Sequence, residues 1–238
     1  MEITFSIVGT AGRKDDAAKL SRKHFEAMCL IASGLLEQFA ESNYPITHLV
    51  SGGAAWADHV AVKLFLDKKV PNLRLFLPCE FVGGSYHDTG VKDPGKNPGG
   101  TANYYHKKFQ TATNINSLTQ IVIAKAEGAE LINGKNFYAR NALVAKSDFI
   151  LACTFGKGAQ VKDGGTADTI RKYLDRVRKE GIFDKSFHYD LNSGEIFVGC
   201  VLPPKDKDAE FLKQIAKMAK IPLHQIVSHH VSHYPPTP

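Results

Sequence analysis

The sequence predicts a doubly wound α/β fold, with helices on both faces of a mostly parallel sheet. The prediction rests on a unit that occurs three times: a short apolar run, a glycine-bearing turn and an amphipathic helix. The apolar runs span residues 3–8, 48–50 and 149–154. Because parallel sheets collect ligand contacts at the carboxyl ends of their strands, we expect the three turns to meet in one site.

Composition narrows the class of protein. A chain of 238 residues with 43% hydrophobic and 23% charged residues is typical of a globular protein. The sequence has no run of about 20 apolar residues, which a membrane span needs, and its first residues lack the pattern of a signal peptide. The four cysteines form no CxxC pair. We therefore expect a cytoplasmic protein with reduced thiols, no membrane contact, no cofactor and no metal site.

The net charge of +6 permits an anionic partner. The basic residues are scattered along the chain and are not interleaved with aromatic residues, which is not the pattern of a nucleic-acid groove. The net charge would therefore allow nucleic acid as a partner, but the distribution of basic and aromatic residues does not support it. The charge favours phosphate ligands in general without choosing among them.

The first unit joins a strand at residues 3–8 to a turn that is typical of phosphate binding. Glycines in the turn allow the backbone to approach a ligand closely, and the arginine that follows carries a forked cation suited to phosphate or carboxylate. The candidate ligand contacts are Gly9, Thr10, Gly12 and Arg13. A plain turn with a surface arginine is the alternative interpretation. From Asp15 or Asp16, the spacing of apolar residues predicts one long helix to about Ser42.

The second unit places a serine, two glycines and an aspartate after the strand at residues 48–50. The hydroxyl of Ser51 and the amides near Gly52 and Gly53 are suited to hold a phosphate. Asp58 is a candidate contact for a ribose hydroxyl. The alternative for Asp58 is a first-turn carboxylate that complements the helix dipole.

A third strand, at residues 73–77, ends close to Glu80. This glutamate is a candidate polar contact at a strand end or, alternatively, a solvated carboxylate. Residues 82–135 then depart from the repeating pattern. They are expected to form an insertion or lid, with a helix at 102–110 and either a helix or a strand at 118–126.

The third unit is the strand at residues 149–154 with the glycine-rich loop and the helix that follow it. Gly164 and Gly165 leave the backbone N–H groups at the start of the helix open to an anion. Thr166 or Asp168 is expected to cap this helix, which ends near Gly181.

Residues 186–238 are expected to form a C-terminal extension of a single domain that spans residues 1–238. Two strands, at 186–191 and 195–202, are joined by the hairpin sequence Asn192-Ser193-Gly194. A last helix is predicted at 209–220. The histidine-rich tail beyond it is expected to be a solvated end rather than a metal site.

Five short motifs occur in the order found in one superfamily: Val8-Gly9-Thr10-Ala11-Gly12-Arg13, Ser51-Gly52-Gly53-Ala54-Ala55-Trp56-Ala57-Asp58, Ala139-Arg140-Asn141, Ser147-Asp148 and Gly164-Gly165-Thr166. In these motifs the chain resembles the Rossmann-like SLOG superfamily, which groups the DNA-processing protein DprA with the Lonely-guy phosphoribohydrolases. The resemblance covers residues 3–181 apart from 82–135. It implies a homodimer with a site for a nucleotide, a ribose phosphate or an ADP-ribose-like ligand.

The resemblance also implies the two sides of that site. One side would be lined by Ser51, Gly52, Gly53 and Asp58. The other would be closed by Arg140, Asn141, Gly164, Gly165 and Thr166.

The chain departs from the Lonely-guy pattern at a catalytic position. Those enzymes carry a glutamate that works with an upstream arginine to cleave the N-glycosidic bond, and the matching position here is Thr169. A threonine hydroxyl cannot replace a carboxylate in charge stabilisation or proton transfer at pH 7. If the bond is cleaved, Arg140 would stabilise anionic charge, while Asp168 or Glu80 would serve the oxocarbenium ion or activate water.

Three functions are consistent with these observations. The leading hypothesis is a protein that binds a nucleotide-derived phosphate ligand, with hydrolysis of the N-glycosidic bond left open. The first alternative is a nucleotide-sensing module without catalysis, which Thr169 favours. The second alternative is a DNA-associated protein like DprA, which only the net charge and the breadth of the superfamily favour.

Overall fold

The computed structural model describes residues 2–134 and 136–203. The strands in these residues are β1 (Thr4–Gly9), β2 (His48–Ser51), β3 (Asn72–Leu77), β4 (Phe81–Val82), β5 (Ser85–Tyr86), β6 (Glu130–Asn133), β7 (Phe149–Thr154), β8 (Ser186–Asp190) and β9 (Glu195–Val198). The helices are α1 (Asp16–Lys19), α2 (Arg22–Glu41), α3 (His59–Leu66), α4 (Pro98–Thr113), α5 (Ser117–Ala126), α6 (Phe137–Val144) and α7 (Gly165–Glu180).

A seven-stranded sheet forms the centre of the fold, and its strand order is β6-β3-β2-β1-β7-β8-β9. Neighbouring strands are parallel except for the hairpin of β8 and β9. The chain moves outward from β1 to β6 and then returns to the other side of β1 as β7. The order of the strands therefore reverses between β1 and β7, which is where open α/β sheets place their ligand crevice. The predicted doubly wound, mostly parallel α/β fold is confirmed.

Helices cover both faces of the sheet because successive residues of a strand point to opposite sides. Phe5 and Ile7 of β1 belong to one apolar cluster, to which α2, α3, α4 and α5 contribute. Val8 belongs to a second cluster, on the opposite face, together with residues of α6 and α7. Every residue of β7 is buried. This burial explains the uninterrupted apolar run from which β7 was predicted.

Residues 82–135 supply the edge strand β6 as well as the loop and helices expected there. The helix predicted at 102–110 is confirmed and begins earlier, at Pro98, where the Asn97 side chain accepts a hydrogen bond from a backbone amide. Residues 118–126, predicted as either a helix or a strand, form most of helix α5. Strand β6 was not predicted because it has four residues and exposed polar residues at both ends, Glu130 and Asn133, which interrupt any apolar pattern.

The single long helix predicted from Asp15 or Asp16 to Ser42 is wrong, because the chain breaks at Leu20. The backbone angle ψ of Leu20 is 136°, which is an extended value. Helix α2 then starts after Ser21, which shares a capping box with His24: the Ser21 hydroxyl accepts from the backbone of His24, and the His24 ring accepts from the Ser21 amide.

The cap of α7 also differs from the prediction. Gly164 is the cap residue, with φ of 124°, a backbone conformation that favours glycine. Thr166 and Asp168, each predicted as a possible cap, lie within the first turn of the helix instead.

The C-terminal part of the described chain ends in a shorter hairpin than expected, because the strand predicted at 195–202 stops at Val198. The helix predicted at 209–220 and the histidine-rich tail lie outside the described residues. The single domain over residues 1–238 therefore stays a prediction. All four cysteines carry free thiols. Among the helices that the structure describes, none is long and apolar enough to cross a membrane.

Glycine is required at position 9 by a backbone contact between β1 and β7. A Cβ atom there would lie 2.1 Å from the carbonyl oxygen of Cys153 and 2.7 Å from the Cβ of Ala57. Because neither atom can swing away, Gly9→Ala must push the two strands apart, and we expect the free energy of unfolding to fall by about 3 kcal/mol. Urea denaturation measures this change.

The matched control is Gly34→Ala in helix α2, where a Cβ atom would meet no atom within 4 Å other than those of the neighbouring helical backbone. This substitution is expected to raise the free energy of unfolding by about 0.5–1 kcal/mol, because alanine loses less backbone entropy in a helix than glycine does. Equal effects of the two substitutions would contradict the close approach of β1 to β7.

Candidate functional site

The turns after β1 (residues 9–13) and β2 (residues 51–58) meet the first turn of α6 at the carboxyl edge of the sheet. We call the narrow space between them the arginine cleft. Its lining residues are Ala11, Arg13, Gly53, Ala54, Ala55, Pro78, Tyr86, Ala102, Tyr105, Phe137 and Arg140. The cleft has a volume of about 10 Å³, which is room for a single water molecule. A larger group can enter only if side chains of the cleft move.

Arg13 brings an uncompensated positive charge to this cleft. Its guanidinium carbon lies 5.4 Å from the centre of the Tyr105 ring and 5.1 Å from the centre of the Phe137 ring. Among the described residues, no carboxylate lies within ion-pair distance of Arg13. Contacts with aromatic rings orient a guanidinium without neutralising it. The Arg13 side chain is therefore suited to receive an anion from outside the protein.

Arg140 is the second guanidinium of the cleft, and it is held more firmly. Its Nη1 donates a hydrogen bond of 3.0 Å to the carbonyl oxygen of Gly52. Its Nη2 lies 3.8 Å from Oδ2 of Asp58, and its guanidinium carbon lies 5.5 Å from the centre of the Phe137 ring. Phe137 thus contacts the guanidinium groups of both arginines. This arrangement places two cations within reach of one ligand.

Asp58 lies beneath the two turns, and only 3% of its surface is exposed. Burial raises the pKa of its carboxyl, while Arg140 and the backbone amides of Ala54, Gly52 and Gly9 act in the opposite direction. Because these amides belong to the turns after β1 and β2, the carboxylate fastens one turn to the other. The ribose contact predicted for Asp58 would require the carboxylate to leave these partners.

The backbone amides after β2 are paired inside the protein. Those of Gly52 and Ala54 donate to Asp58, and that of Gly53 donates to Ser51 Oγ at 3.3 Å. Ser51 is fully buried, and its hydroxyl donates to the backbone carbonyl of Asp58 at 2.8 Å. The groups expected to hold a phosphate therefore stabilise the turn itself. The two guanidinium groups are then the cationic donors of the cleft.

The carbonyl oxygen of Gly53 is held by residues of the 82–135 segment. It accepts a hydrogen bond from the hydroxyl of Tyr86 and another, of 3.1 Å, from Nε2 of His106. A carbonyl only accepts, so Nε2 of His106 carries the proton and Nδ1 accepts from the Ser117 hydroxyl at 2.8 Å. Burial accordingly keeps His106 neutral, with a pKa lowered to about 3.

The turn after β1 is stabilised in a similar way. The Thr10 hydroxyl donates to Asp16 at 2.6 Å and accepts from the Gly12 amide at 3.1 Å. Asp16, which is buried, also pairs with Lys162 from the loop between β7 and α7. The structure thus uses Thr10 to join the turns after β1 and β7 and places its hydroxyl away from the cleft lining.

Asn141 connects Arg140 with the first turn of α7. Its side-chain amide donates to Oδ2 of Asp168 at 3.0 Å and to the carbonyl of Gly165 at 3.3 Å, and its oxygen lies 3.4 Å from Nε of Arg140. Burial alone would raise the pKa of Asp168, but hydrogen bonds from Lys172 and Asn141 outweigh it and keep the pKa below its usual range. The Asn141 side chain therefore joins α6 to the first turn of α7.

The remaining candidates lie outside the lining of the cleft. Gly164 and Gly165 are exposed at the start of α7, and Thr166 is half-buried beside them. Glu80 is exposed after β3. Thr169 is buried, and its hydroxyl donates to the Gly165 carbonyl at 3.0 Å.

Sequence reasoning missed the aromatic part of the site. Phe137 lies three residues before Arg140, and this helical spacing could have placed both side chains on one face of a helix. Tyr105 and Tyr86 reach the cleft from α4 and β5. No local pattern in the sequence connects these two tyrosines with the turn after β1. They come close to that turn only when the 82–135 segment packs on the sheet.

Comparison with known proteins gives one relative. The chain is similar to uncharacterized protein R261 of Acanthamoeba polyphaga mimivirus, with 36% identity over 174 residues, which are 72% of this chain and 91% of the relative. No family model matches the sequence, and no solved structure matches it.

Two buried histidines make the stability of the fold depend on pH. Burial lowers the pKa of His106 to about 3 and that of His59 to about 4, from an ordinary value of 6.5. Below pH 6.5 the unfolded chain binds protons at these positions that the folded chain does not bind. The free energy of unfolding therefore falls as the pH drops from about 6.5 towards 4, by at most about 1.4 kcal/mol per pH unit for each histidine.

The substitution His106→Asn isolates one of these contributions. When the pH is lowered from about 7.5 to about 5, the free energy of unfolding should fall by about 2 kcal/mol less in the variant than in the wild type. Urea denaturation at the two pH values measures this difference. The control is His87→Asn, which changes an exposed histidine of the same segment and should keep the wild-type loss. A His106 variant with the wild-type pH dependence would show that His106 is protonated in the folded chain.

Proposed function

We propose that this chain, which belongs to the same family as protein R261 of the mimivirus, binds the phosphate group of a nucleotide-derived ligand with Arg13 and Arg140. The observation that carries the proposal is the Arg13 guanidinium, which lines the cleft, contacts two aromatic rings and has no ion-pair partner among the described residues. A forked cation of this kind forms charge-assisted hydrogen bonds with phosphate oxygens.

The position of the cleft supports the same proposal. It lies at the carboxyl edge of a doubly wound sheet, where such folds bind their ligands. The contacts of Asn141 with Arg140 and with the first turn of α7 join two motifs through which the chain resembles the SLOG superfamily. We therefore propose membership of that superfamily together with its nucleotide-type ligand.

The geometry favours binding without hydrolysis. Cleavage of an N-glycosidic bond needs a carboxylate at the reacting sugar. Of the candidates, Asp58 lies beneath the turns, Asp168 is paired with Lys172, and Glu80 is exposed after β3. None of the three lines the cleft. The function we propose is accordingly a nucleotide-binding module that senses its ligand.

Binding is tested by isothermal titration with AMP on the wild type and on Arg13→Ala. Removal of one charge-assisted contact to phosphate is expected to weaken the affinity about 10- to 100-fold. The control is Arg178→Ala, which removes an exposed arginine of α7 that pairs with Asp175 and should leave the affinity unchanged. Equal affinity of Arg13→Ala and the wild type for AMP would sink the phosphate role of Arg13.

Catalysis is tested by incubating the wild type with AMP for several hours and measuring free adenine by chromatography. We expect no adenine above the level of the buffer, because none of the candidate carboxylates Asp58, Asp168 and Glu80 is among the described residues that line the cleft. Release of adenine by the wild type above the buffer level would overturn the non-catalytic part of the proposal.

A further inference from the structure

A second cavity lies beside the arginine cleft, and Tyr105 lines both. This cavity is open to solvent and has a volume of about 430 Å³. Among its lining residues are Asp88, Lys92, Asn97, Tyr104 and Tyr105. We call it the Asp88 cavity.

Helix α4 forms the boundary between the two spaces. Ala102 and Tyr105, three residues apart, line the arginine cleft, whereas Thr101 and Tyr104, also three residues apart, line the Asp88 cavity. Adjacent faces of one helix therefore look into the two spaces. The Arg13 guanidinium packs over the Tyr105 ring. The same ring thus contacts Arg13 and lines the Asp88 cavity.

Size separates the roles of the two spaces. The arginine cleft holds about 10 Å³, which is room for one water molecule, so only the end of a ligand can enter it, and only when side chains of the cleft move. The Asp88 cavity, at about 430 Å³, lies within the range of roughly 300–1,000 Å³ that is usual for small-molecule sites. The Asp88 cavity therefore has the volume needed for the larger part of a ligand whose phosphate is held at Arg13.

The lining of the Asp88 cavity suits a nucleoside. The Tyr104 side chain is 55% exposed and stands edge-on to Tyr105, with ring centres 5.1 Å apart. Lys108 Nζ lies 5.6 Å from the centre of the Tyr104 ring. An exposed aromatic ring of this kind is suited to stack on a planar base. The Asp88 carboxylate accepts hydrogen bonds from the Gly90 amide at 2.8 Å and the Asn97 side chain at 2.7 Å. These bonds lower the pKa of Asp88, which leaves an ionised acceptor for hydroxyl donors.

The wall of this cavity is already ordered by Asn97, of which only 7% is exposed. Its side-chain oxygen accepts from the amides of Thr89 and Gly100, and its nitrogen donates to Asp88 and to the carbonyl of Val91. One buried amide thus holds the loop and the start of α4 together. A wall formed in advance lowers the entropy cost of binding.

We propose that the ligand is a complete nucleotide, with its phosphate at Arg13 and Arg140, its base stacked on Tyr104 and its ribose hydroxyls facing Asp88. In this arrangement Asp88 binds the hydroxyls of the sugar, whereas cleavage would need a carboxylate at the glycosidic bond itself. This inference rests on the proposed function, because it extends the same phosphate site into the neighbouring cavity. It distinguishes a nucleotide from ribose phosphate alone.

The test is isothermal titration of the wild type, Tyr104→Ala and Tyr44→Ala with two probes, AMP and ribose 5-phosphate. We expect the wild type to bind AMP more tightly than ribose 5-phosphate. Tyr104→Ala should weaken AMP binding about tenfold, since it removes one base–aromatic stacking contact, and should leave ribose 5-phosphate binding unchanged. Tyr44, at 49% exposure, is an exposed tyrosine outside both spaces, and Tyr44→Ala should behave as the wild type does with both probes.

Each other result has a distinct meaning. Equal wild-type affinity for the two probes, or an unchanged AMP affinity in Tyr104→Ala, would overturn the base site and leave the proposed phosphate site standing. An equal loss for both probes in Tyr104→Ala would also overturn it, because the residue would then act on the phosphate end. If neither probe binds the wild type, the proposed function fails and this inference fails with it. Because Tyr104 is largely exposed, we expect the variant to fold, and its melting temperature without ligand verifies this.

Discussion

The burial of the Asp58 carboxylate is the constraint on which the rest of the site depends. A carboxylate with 3% exposure is costly to the fold unless hydrogen bonds and a cation surround it. Here the backbone amides come from Gly9, Gly52 and Ala54, and the cation is Arg140. To satisfy this one group, the turns after β1 and β2 must approach each other and α6 must lie above them. The cleft is what remains between these three elements.

This constraint also explains why the glycine-rich turns serve the fold more than the ligand. A turn that binds phosphate must leave its N–H groups free, yet those of Gly52, Gly53 and Ala54 are paired within the protein. The glycines are needed for a different reason. At Gly52 a Cβ atom would lie 2.6 Å from the Arg140 guanidinium carbon, so a side chain there would displace the arginine. The contact with an anion thus falls to side chains, which can move when a ligand arrives.

The segment between β3 and α6 contributes as much to the site as the repeating units do. It supplies the edge strand β6, the Tyr86 and His106 donors that hold the Gly53 carbonyl, and the Tyr105 ring that packs on Arg13. The segment that provides the edge strand of the sheet therefore also forms part of the cleft wall. The four hydrogen bonds of the Asn97 side chain order the loop of this segment despite its several glycines.

The sequence by itself determined the α/β class, the central strands and the location of Arg13 in the turn after β1, because each depends on local patterns. Buried parallel strands are continuous apolar runs, and glycines follow them where the chain must turn sharply. Tertiary structure alone decided the edge strand β6, the aromatic partners of the arginines and the direction in which each amide points. These depend on contacts between residues far apart in the chain, such as Gly53 with His106. A hydrogen-bond donor has the same sequence signature whether it faces a ligand or a buried carboxylate, and only packing distinguishes the two.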